Sequence, residues 1–218
     1  MTLSLDSLFS DDRVEDSDRK VNIYDFETVH PTDWEPVTII EPDIDHGPWI
    51  AGGACLRWFQ GQPVGNSDID VFCRSPKQAK DVIDRIKSYQ RYQVKHNSEN
   101  AVTIEHRNKS MWEDHDTWTI QVIVRRFFNS LDEVIDNFDI TVCQVGTGGT
   151  EWVLGKHTAR DIREKNLRFA KLQPDAPKRL TKYMTYGYRP VEGTFEQICS
   201  SSDTRWKYIP GEDYENAL

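Results

Sequence analysis

Cysteine is scarce in this sequence and follows no pattern. The four cysteines are widely spaced, and no CxxC pair or Cys/His cluster occurs among Cys55, Cys73, Cys143 and Cys199. This distribution excludes a recognisable zinc motif, and it favours free thiols in a reducing compartment over a disulfide framework. Each of the 6 histidines also stands alone, so a histidine metal site is not expected. We therefore expect a cytoplasmic protein.

Long apolar runs are also absent. No stretch approaches the ~20 apolar residues that span a bilayer, and residues 1–20 lack the basic start and apolar run of a signal peptide. Hydrophobic residues make up 37% of the 218 residues, and charged residues make up 29%. We expect a soluble chain without a membrane partner, built from one domain and a small appendage.

Charge is unevenly distributed along the chain. The net charge is −9, with an acidic segment at residues 1–47 and a basic one at residues 156–189. The overall acidity argues against nucleic-acid binding, but the basic segment leaves it open. The pattern predicts an acidic flexible tail over residues 1–20, a central domain over 21–155, and a basic helical C-terminal extension over 156–218.

The residue types that suggest chemistry are concentrated between Trp49 and Cys73. A short apolar run leads into Gly52-Gly53, and the following residues are long enough for a short helix. Two glycines before a helix let backbone N–H groups approach an anion. Asp68-Ile69-Asp70 lies in an apolar context that predicts a strand, which places both aspartates on one face. Two such carboxylates repel unless a cation lies between them, and Mg²⁺ is the usual oxygen-bound cation.

The remaining periodicity predicts an α+β fold, with a small mixed β-sheet flanked by helices and a short helical C-terminal extension. Trp49–Ala51 is expected to lead into the first helix. Strands are predicted over residues 68–73, 92–96, 101–106, 118–128, 138–145 and 151–154. Helices are predicted over residues 54–59, 76–89, 158–170, 177–186 and 195–199, with a further short helix that begins at Ser130.

The glycine pair and the later aspartate pair together resemble the signature of the DNA polymerase beta-like nucleotidyltransferase superfamily. In that signature an apolar residue precedes Gly-Gly, a short helix follows, and Asp-x-Asp lies on a strand. Here 14 residues separate Gly53 from Asp68, and Arg57 follows the glycines. This variant is most similar to the poly(A) polymerase and CCA-adding branch.

A second segment extends the resemblance. In that branch, basic residues at the end of a strand precede a short acidic helix and a segment Arg-Arg-Asp-Phe-Thr-Ile-Asn-Ala. Arg125-Arg126, an acidic stretch and Phe138–Gln144 occur here in the same order. Asp139 matches the family's aspartate and Thr141 its threonine. Phe138 stands where the family has arginine, which is a departure from the pattern.

The resemblance implies a Mg²⁺-dependent enzyme whose catalytic domain spans residues 21–155. It would transfer a nucleoside monophosphate from a nucleoside triphosphate, ATP by preference, to a hydroxyl of an RNA end, a protein or a small molecule. Two Mg²⁺ ions would stabilise the attacking and leaving oxygens. The implied residues are Asp68, Asp70 and Asp139 as catalytic metal ligands, and Gly52, Gly53, Arg57, Ser67 and Lys182 as nucleotide-binding residues.

Two other functions remain open. Some relatives have an acid where this chain has Gln121, so the fold could serve a binding or regulatory module without activity. Alternatively, residues 156–189 could bind nucleic acid without catalysis. Within them, Pro177–Arg189 resembles a segment of small stand-alone nucleotidyltransferase-like proteins of viral genomes, for which host cytoplasm is the expected location. That segment could equally form a helix packed against the sheet.

Overall fold

The computed structural model describes residues 20–22, 35–62, 64, 67–106 and 118–200. The strands of this part are β1 (Lys20–Asn22), β2 (Trp49–Ala51), β3 (Asp68–Phe72), β4 (Tyr92–Asn97), β5 (Ala101–His106), β6 (Thr119–Ile123), β7 (Val145–Thr147), β8 (Glu151–Leu154), β9 (Asn166–Leu167) and β10 (Arg189–Pro190). The helices are α1 (Glu35–Ile40), α2 (Gly53–Phe59), α3 (Pro76–Ser88), α4 (Leu131–Asp136), α5 (Thr158–Glu164), α6 (Ala176–Thr185) and α7 (Thr194–Ser200), with a 3-10 helix at Thr141–Cys143. The predicted acidic tail lies outside the described residues, except for Lys20 in β1.

Eight strands form one mixed sheet in the order β1-β8-β7-β2-β3-β6-β5-β4. Only the β3–β6 pair is parallel among the described pairings of this sheet. β2 and β3 lie side by side, with Ala51 opposite Asp70, and Asp70 in turn lies opposite Gln121 of β6. The α+β prediction is therefore confirmed.

Apolar residues cover both faces of the sheet. Alternate residues of β3 and β6 (Ile69, Val71, Ile120 and Val122) are fully buried and belong to a large core cluster that includes residues of α1, α2 and α3. The opposite face carries Phe72 in a smaller cluster with residues of α4. Asp68 and Asp70 share the face of Phe72, because side chains of a strand alternate. No helix in the described part of the chain is long and apolar enough to cross a membrane.

The structure corrects the predicted strand at residues 138–145. The N–H of Thr141 donates to the Arg168 carbonyl, and the N–H of Ala170 donates to the Asp139 carbonyl. These backbone groups therefore bond to the C-terminal segment, and the run forms a 3-10 helix before β7 begins at Val145. An apolar run cannot distinguish this packing from a buried strand.

Three other boundaries differ from the predictions. Trp49–Ala51 forms the strand β2, and the helix expected to follow it is α2, which begins at Gly53; α1 (Glu35–Ile40) precedes both. β6 ends at Ile123, because its partner β5 begins at Ala101, which lies opposite that residue. The helix predicted over 158–170 ends at Glu164, because Lys165 adopts a left-handed conformation with φ 56°; β9 follows at once.

The first turn of α3 offers a test of helix capping. The Ser75 hydroxyl accepts a hydrogen bond from the Gln78 N–H at 3.2 Å. We expect Ser75→Ala to lower the free energy of unfolding by about 1 kcal/mol, because a helix-start N–H loses its partner. Urea denaturation measures this change. Ser88→Ala at the other end of α3 is the matched control and should stay within about 0.5 kcal/mol of wild type; equal losses in both variants would contradict the cap.

Candidate active site

The aspartate pair lies where the sequence places it. Asp68 is exposed and Asp70 is partly buried, both on one face of β3. Gln121 of β6 is the nearest neighbour on the parallel strand, and its Nε2 donates to Asp68 Oδ2 at 2.7 Å. The amide therefore orients one carboxylate of the pair but adds no negative charge to it.

Burial and mutual repulsion shape the electrostatics of this carboxylate pair. Burial raises the pKa of Asp70 to about 7, the nearby Asp68 carboxylate also raises it, and Arg179 and Lys182 oppose the shift. Burial likewise raises the pKa of Asp68, against the attraction of Lys182. A cation bound between the carboxylates would favour their ionised forms.

Gly52 allows the backbone to pass close to the aspartate pair. Its φ is +99°, and a Cβ at this position would lie 3.0 Å from the Phe138 ring and 3.6 Å from Asp70 Oδ2. Only glycine adopts this conformation without strain in so little space. The Gly52 N–H donates to the Val145 carbonyl at 2.8 Å, so this amide is not available for the predicted phosphate contact.

Helix α6 forms the wall opposite the pair. Three cationic side chains of this helix face the cleft at positions i, i+1 and i+4: Lys178, Arg179 and Lys182. This site cleft has a volume of about 520 Å³, within the range of small-molecule pockets. Its lining includes six of the eight predicted residues, Gly53, Arg57, Ser67, Asp68, Asp70 and Lys182, but not Gly52 or Asp139.

Asp139 has a different environment from the one predicted. The residue is 4% exposed, and its Oδ1 lies 3.1 Å from Arg179 Nη2 in an ion pair. Burial raises its pKa, and Arg179 opposes that shift. Among the described residues there is no group of three or more His, Cys, Asp or Glu side chains that could hold a metal ion. The structure therefore does not bring Asp139 into a cluster with the carboxylate pair.

Sequence reasoning missed part of the cationic wall. Lys178, Arg179 and Tyr186 line the cleft, whereas Arg125 of the Arg125-Arg126 pair is not among the lining residues. The available signal was the spacing of cations within the segment Pro177–Arg189. That spacing alone does not show that α6 lies against the cleft.

One protein family matches the sequence. The family model described as "Gabija anti-defense 2 family protein" matches residues 32–165, which is more than half of the chain and includes Asp68, Asp70 and Asp139. No curated protein matches the chain in sequence.

Solved structures of CCA-adding enzymes resemble the fold. The Thermotoga maritima CCA-adding enzyme complexed with tRNA has a TM-score of 0.56 at 15% identity, over 81% of this chain and 44% of that one. The Bacillus stearothermophilus CCA-adding enzyme in complex with CTP has a TM-score of 0.54 at 18% identity, over 78% and 43% of the two chains. A CCA-adding enzyme complexed with ATP has a TM-score of 0.58 at 14% identity, over 81% and 45%. This chain thus spans less than half of each enzyme, and the likeness shows a nucleotidyltransferase-like fold.

The raised pKa of Asp70 predicts a pH-dependent effect of Asp70→Asn. The native protein holds this proton up to about pH 7, whereas the unfolded chain loses it near pH ~4. The ionisation therefore costs native stability progressively between these values, and the cost is complete above the native pKa. In EDTA, we expect Asp70→Asn to raise Tm over wild type at about pH 8 and to change it little near pH ~4.

Thermal denaturation across the pH range measures this difference. Asp84→Asn is the control, because Asp84 is an exposed α3 residue whose pKa is lowered by Lys80; this variant should show no gain at high pH. A Tm gain for Asp70→Asn that is equal at all pH values would contradict the assignment.

Proposed function

The chain belongs to the Gabija anti-defense 2 family, and from this premise and its site we propose that it is a Mg²⁺-dependent nucleotidyltransferase. It transfers a nucleoside monophosphate from a nucleoside triphosphate, ATP by preference, to a hydroxyl acceptor. One observation carries the proposal: a half-buried carboxylate pair faces three cations of α6 across a cleft of about 520 Å³. The nucleotidyltransferase-like fold supports it.

The donor set of the pair fits one magnesium ion. Asp68 and Asp70 supply hard oxygen ligands on one face, and the pKa of Asp70 is raised to about 7 without a cation. Bound there, Mg²⁺ would neutralise charge on the triphosphate and polarise its α-phosphate. No third carboxylate joins the pair in a metal-binding group among the described residues, and the neighbouring Gln121 is an amide. The binding of a second Mg²⁺ ion therefore stays a prediction.

The protein's own residues position the substrate. Lys178, Arg179 and Lys182 oppose the negative charge of the triphosphate, and Arg57 and Ser67 complete this lining from the α2 side. Because the cationic groups are held on α2 and α6, the charge that develops on the leaving pyrophosphate meets donors already in place. The Gln121 amide holds Asp68 in its orientation.

Asp139 acts on the cleft through its contact with Arg179. Its buried carboxylate is paired with Arg179, which itself lines the cleft. We assign Asp139 as a positioning residue that aims the guanidinium at the phosphates. Its direct ligation of metal stays a prediction.

The family's description supports a proposal for the acceptor. That description names an action against the Gabija defense, so we propose that the acceptor hydroxyl belongs to a component of that system. An RNA end, a protein side chain and a small molecule are the three chemical classes that carry such a hydroxyl. In each case the acceptor must enter beside Asp68, the more exposed member of the pair.

The second candidate is a non-catalytic module with the same fold. Gln121 favours it, because this amide lies beside the pair and no third carboxylate forms a metal-binding group with Asp68 and Asp70 among the described residues. A module of this kind would bind its partner without nucleotide turnover. The activity measurement that follows separates the two.

The double variant Asp68→Asn/Asp70→Asn tests the proposed chemistry. We expect transfer from α-³²P-labelled ATP, with purified Gabija components as acceptors, to fall by at least about 100-fold, because the amides cannot replace ionised metal ligands. The matched control is Asp81→Asn/Asp84→Asn, which removes two exposed carboxylates of α3 and should retain wild-type transfer. Undiminished transfer by the Asp68/Asp70 variant, or none by wild type, would favour the non-catalytic module.

Asp139→Asn tests the positioning role. The loss of the carboxylate charge should loosen Arg179, so we expect the KM for the nucleoside triphosphate to rise about 10-fold with a smaller change in kcat. Steady-state kinetics measures both constants, and urea denaturation checks that the variant is folded. A fall in kcat with KM unchanged would instead favour the metal-ligand prediction.

A further inference from the structure

A smaller cavity opens beside the site cleft. This side chamber has a volume of about 130 Å³ and shares residues of α2 and α6 with the cleft, among them Arg57, Lys182 and Tyr186. Its remaining wall comes from the end of α2, the turn after it and the C-terminal segment: Leu56, Gln60, Gln62, Lys165 and Tyr188. The side chamber therefore lies directly beside the cleft.

The lining of the side chamber differs in chemistry from that of the cleft. Three tyrosines line it (Tyr183, Tyr186 and Tyr188), together with two glutamine amides and three cationic side chains, and no carboxylate is among the described lining residues. The carboxylates of the cleft suit a cation, whereas flat rings and amides suit a planar heterocycle with donors and acceptors at its edge.

Contacts within the chamber hold these rings in place. The Arg57 guanidinium lies 5.5 Å from the centroid of the Tyr186 ring, and the Lys165 Nζ lies 4.7 Å from that of Tyr188. Gln60 Nε2 donates to the Tyr188 hydroxyl at 3.3 Å. Tyr183 packs edge-on against Tyr186 at 5.7 Å between ring centroids. Tyr186 nevertheless remains 44% exposed, so part of this fixed ring is open to a ligand.

We propose that the side chamber is a nucleobase subsite, in which a base stacks on Tyr186 and the amides of Gln60 and Gln62 contact its edge. This inference rests on the proposed function and names the part of the substrate that the cleft alone does not bind. The chamber is of the size that holds one aromatic ring, since a cavity of about 150 Å³ binds benzene. The base belongs either to the incoming nucleoside triphosphate or to a nucleotide of the acceptor.

The first arm of the test compares ligands with and without a base. Inorganic tripolyphosphate and a non-hydrolysable ATP analogue are each titrated with Mg²⁺ into the full chain by calorimetry. We expect the analogue to bind at least about 5-fold more tightly than tripolyphosphate, since stacking on an aromatic side chain contributes about 5- to 150-fold. Tyr186→Ala should reduce this ratio of affinities, whereas Tyr186→Phe should preserve it because the ring remains.

Met184→Ala is the matched control. Met184 is a neighbouring α6 residue that is 45% exposed and is not among the residues that line either cavity. It should leave both affinities unchanged. Circular dichroism of every variant verifies that α6 remains folded.

The second arm identifies the source of the base. A short single-stranded RNA without a triphosphate is titrated into the same variants. Loss of RNA affinity in Tyr186→Ala, with the analogue-to-tripolyphosphate ratio unchanged, assigns the subsite to an acceptor nucleotide; the opposite pattern assigns it to the incoming nucleotide.

Three results would overturn the proposed subsite. If tripolyphosphate and the analogue bind wild type equally and Tyr186→Ala leaves RNA affinity unchanged, the chamber binds no base, while Mg²⁺-dependent tripolyphosphate binding still supports the proposed function. If Tyr186→Ala lowers the affinity for tripolyphosphate as much as that for the analogue, the chamber binds phosphate through its cations. If wild type binds neither tripolyphosphate nor the analogue nor the RNA, both the subsite and the proposed function are wrong.

Discussion

The repulsion between two carboxylates on one strand is the constraint on which this site depends. Asp68 and Asp70 lie on the same face of β3, and burial of Asp70 makes its ionisation unfavourable. A protein gains no stability from such a pair. The surroundings nevertheless maintain it: the Gln121 amide holds one carboxylate, and cations of α6 stand across the cleft. Under the proposed function, a cation between the carboxylates and a polyanion beside the α6 cations would complete the site.

The sheet determines how close the parts of the site come. β2 runs antiparallel to β3, so the end of β2 brings Gly52 against Asp70. The positive φ of Gly52 then turns the chain into α2, whose first residues line the cleft. A side chain at Gly52 would meet the Phe138 ring. The glycine is thus required by geometry, and its own N–H is already used by Val145.

Local patterns in the sequence predicted the half of the site that is local in the chain. Alternation placed Asp68 and Asp70 on one strand face, and the glycine pair with the short helix was recognised because all its residues lie within one short stretch. The predicted strand at residues 138–145 was wrong for the opposite reason. Its backbone bonds to Arg168 and Ala170, and no periodicity within an apolar run reveals a partner so far along the chain. The role predicted for Asp139 depended on that strand, whereas the structure pairs Asp139 with Arg179, a residue of another helix.

Only part of the cleft lining lies within the segment that matches the family model. Residues 32–165, which match the family model, include the carboxylate pair and Asp139. Lys178, Arg179 and Lys182 of α6 lie beyond the match and are three of the four cationic side chains that line the cleft, Arg57 being the fourth. Tyr186, directly after α6, also lies beyond the match and supplies the exposed ring. Asp139 connects the walls, because its ion pair joins the matched segment to α6. Under the proposed function, phosphates bind between these walls and this ion pair orients Arg179 toward them, so α6 of the C-terminal segment contributes to the candidate site.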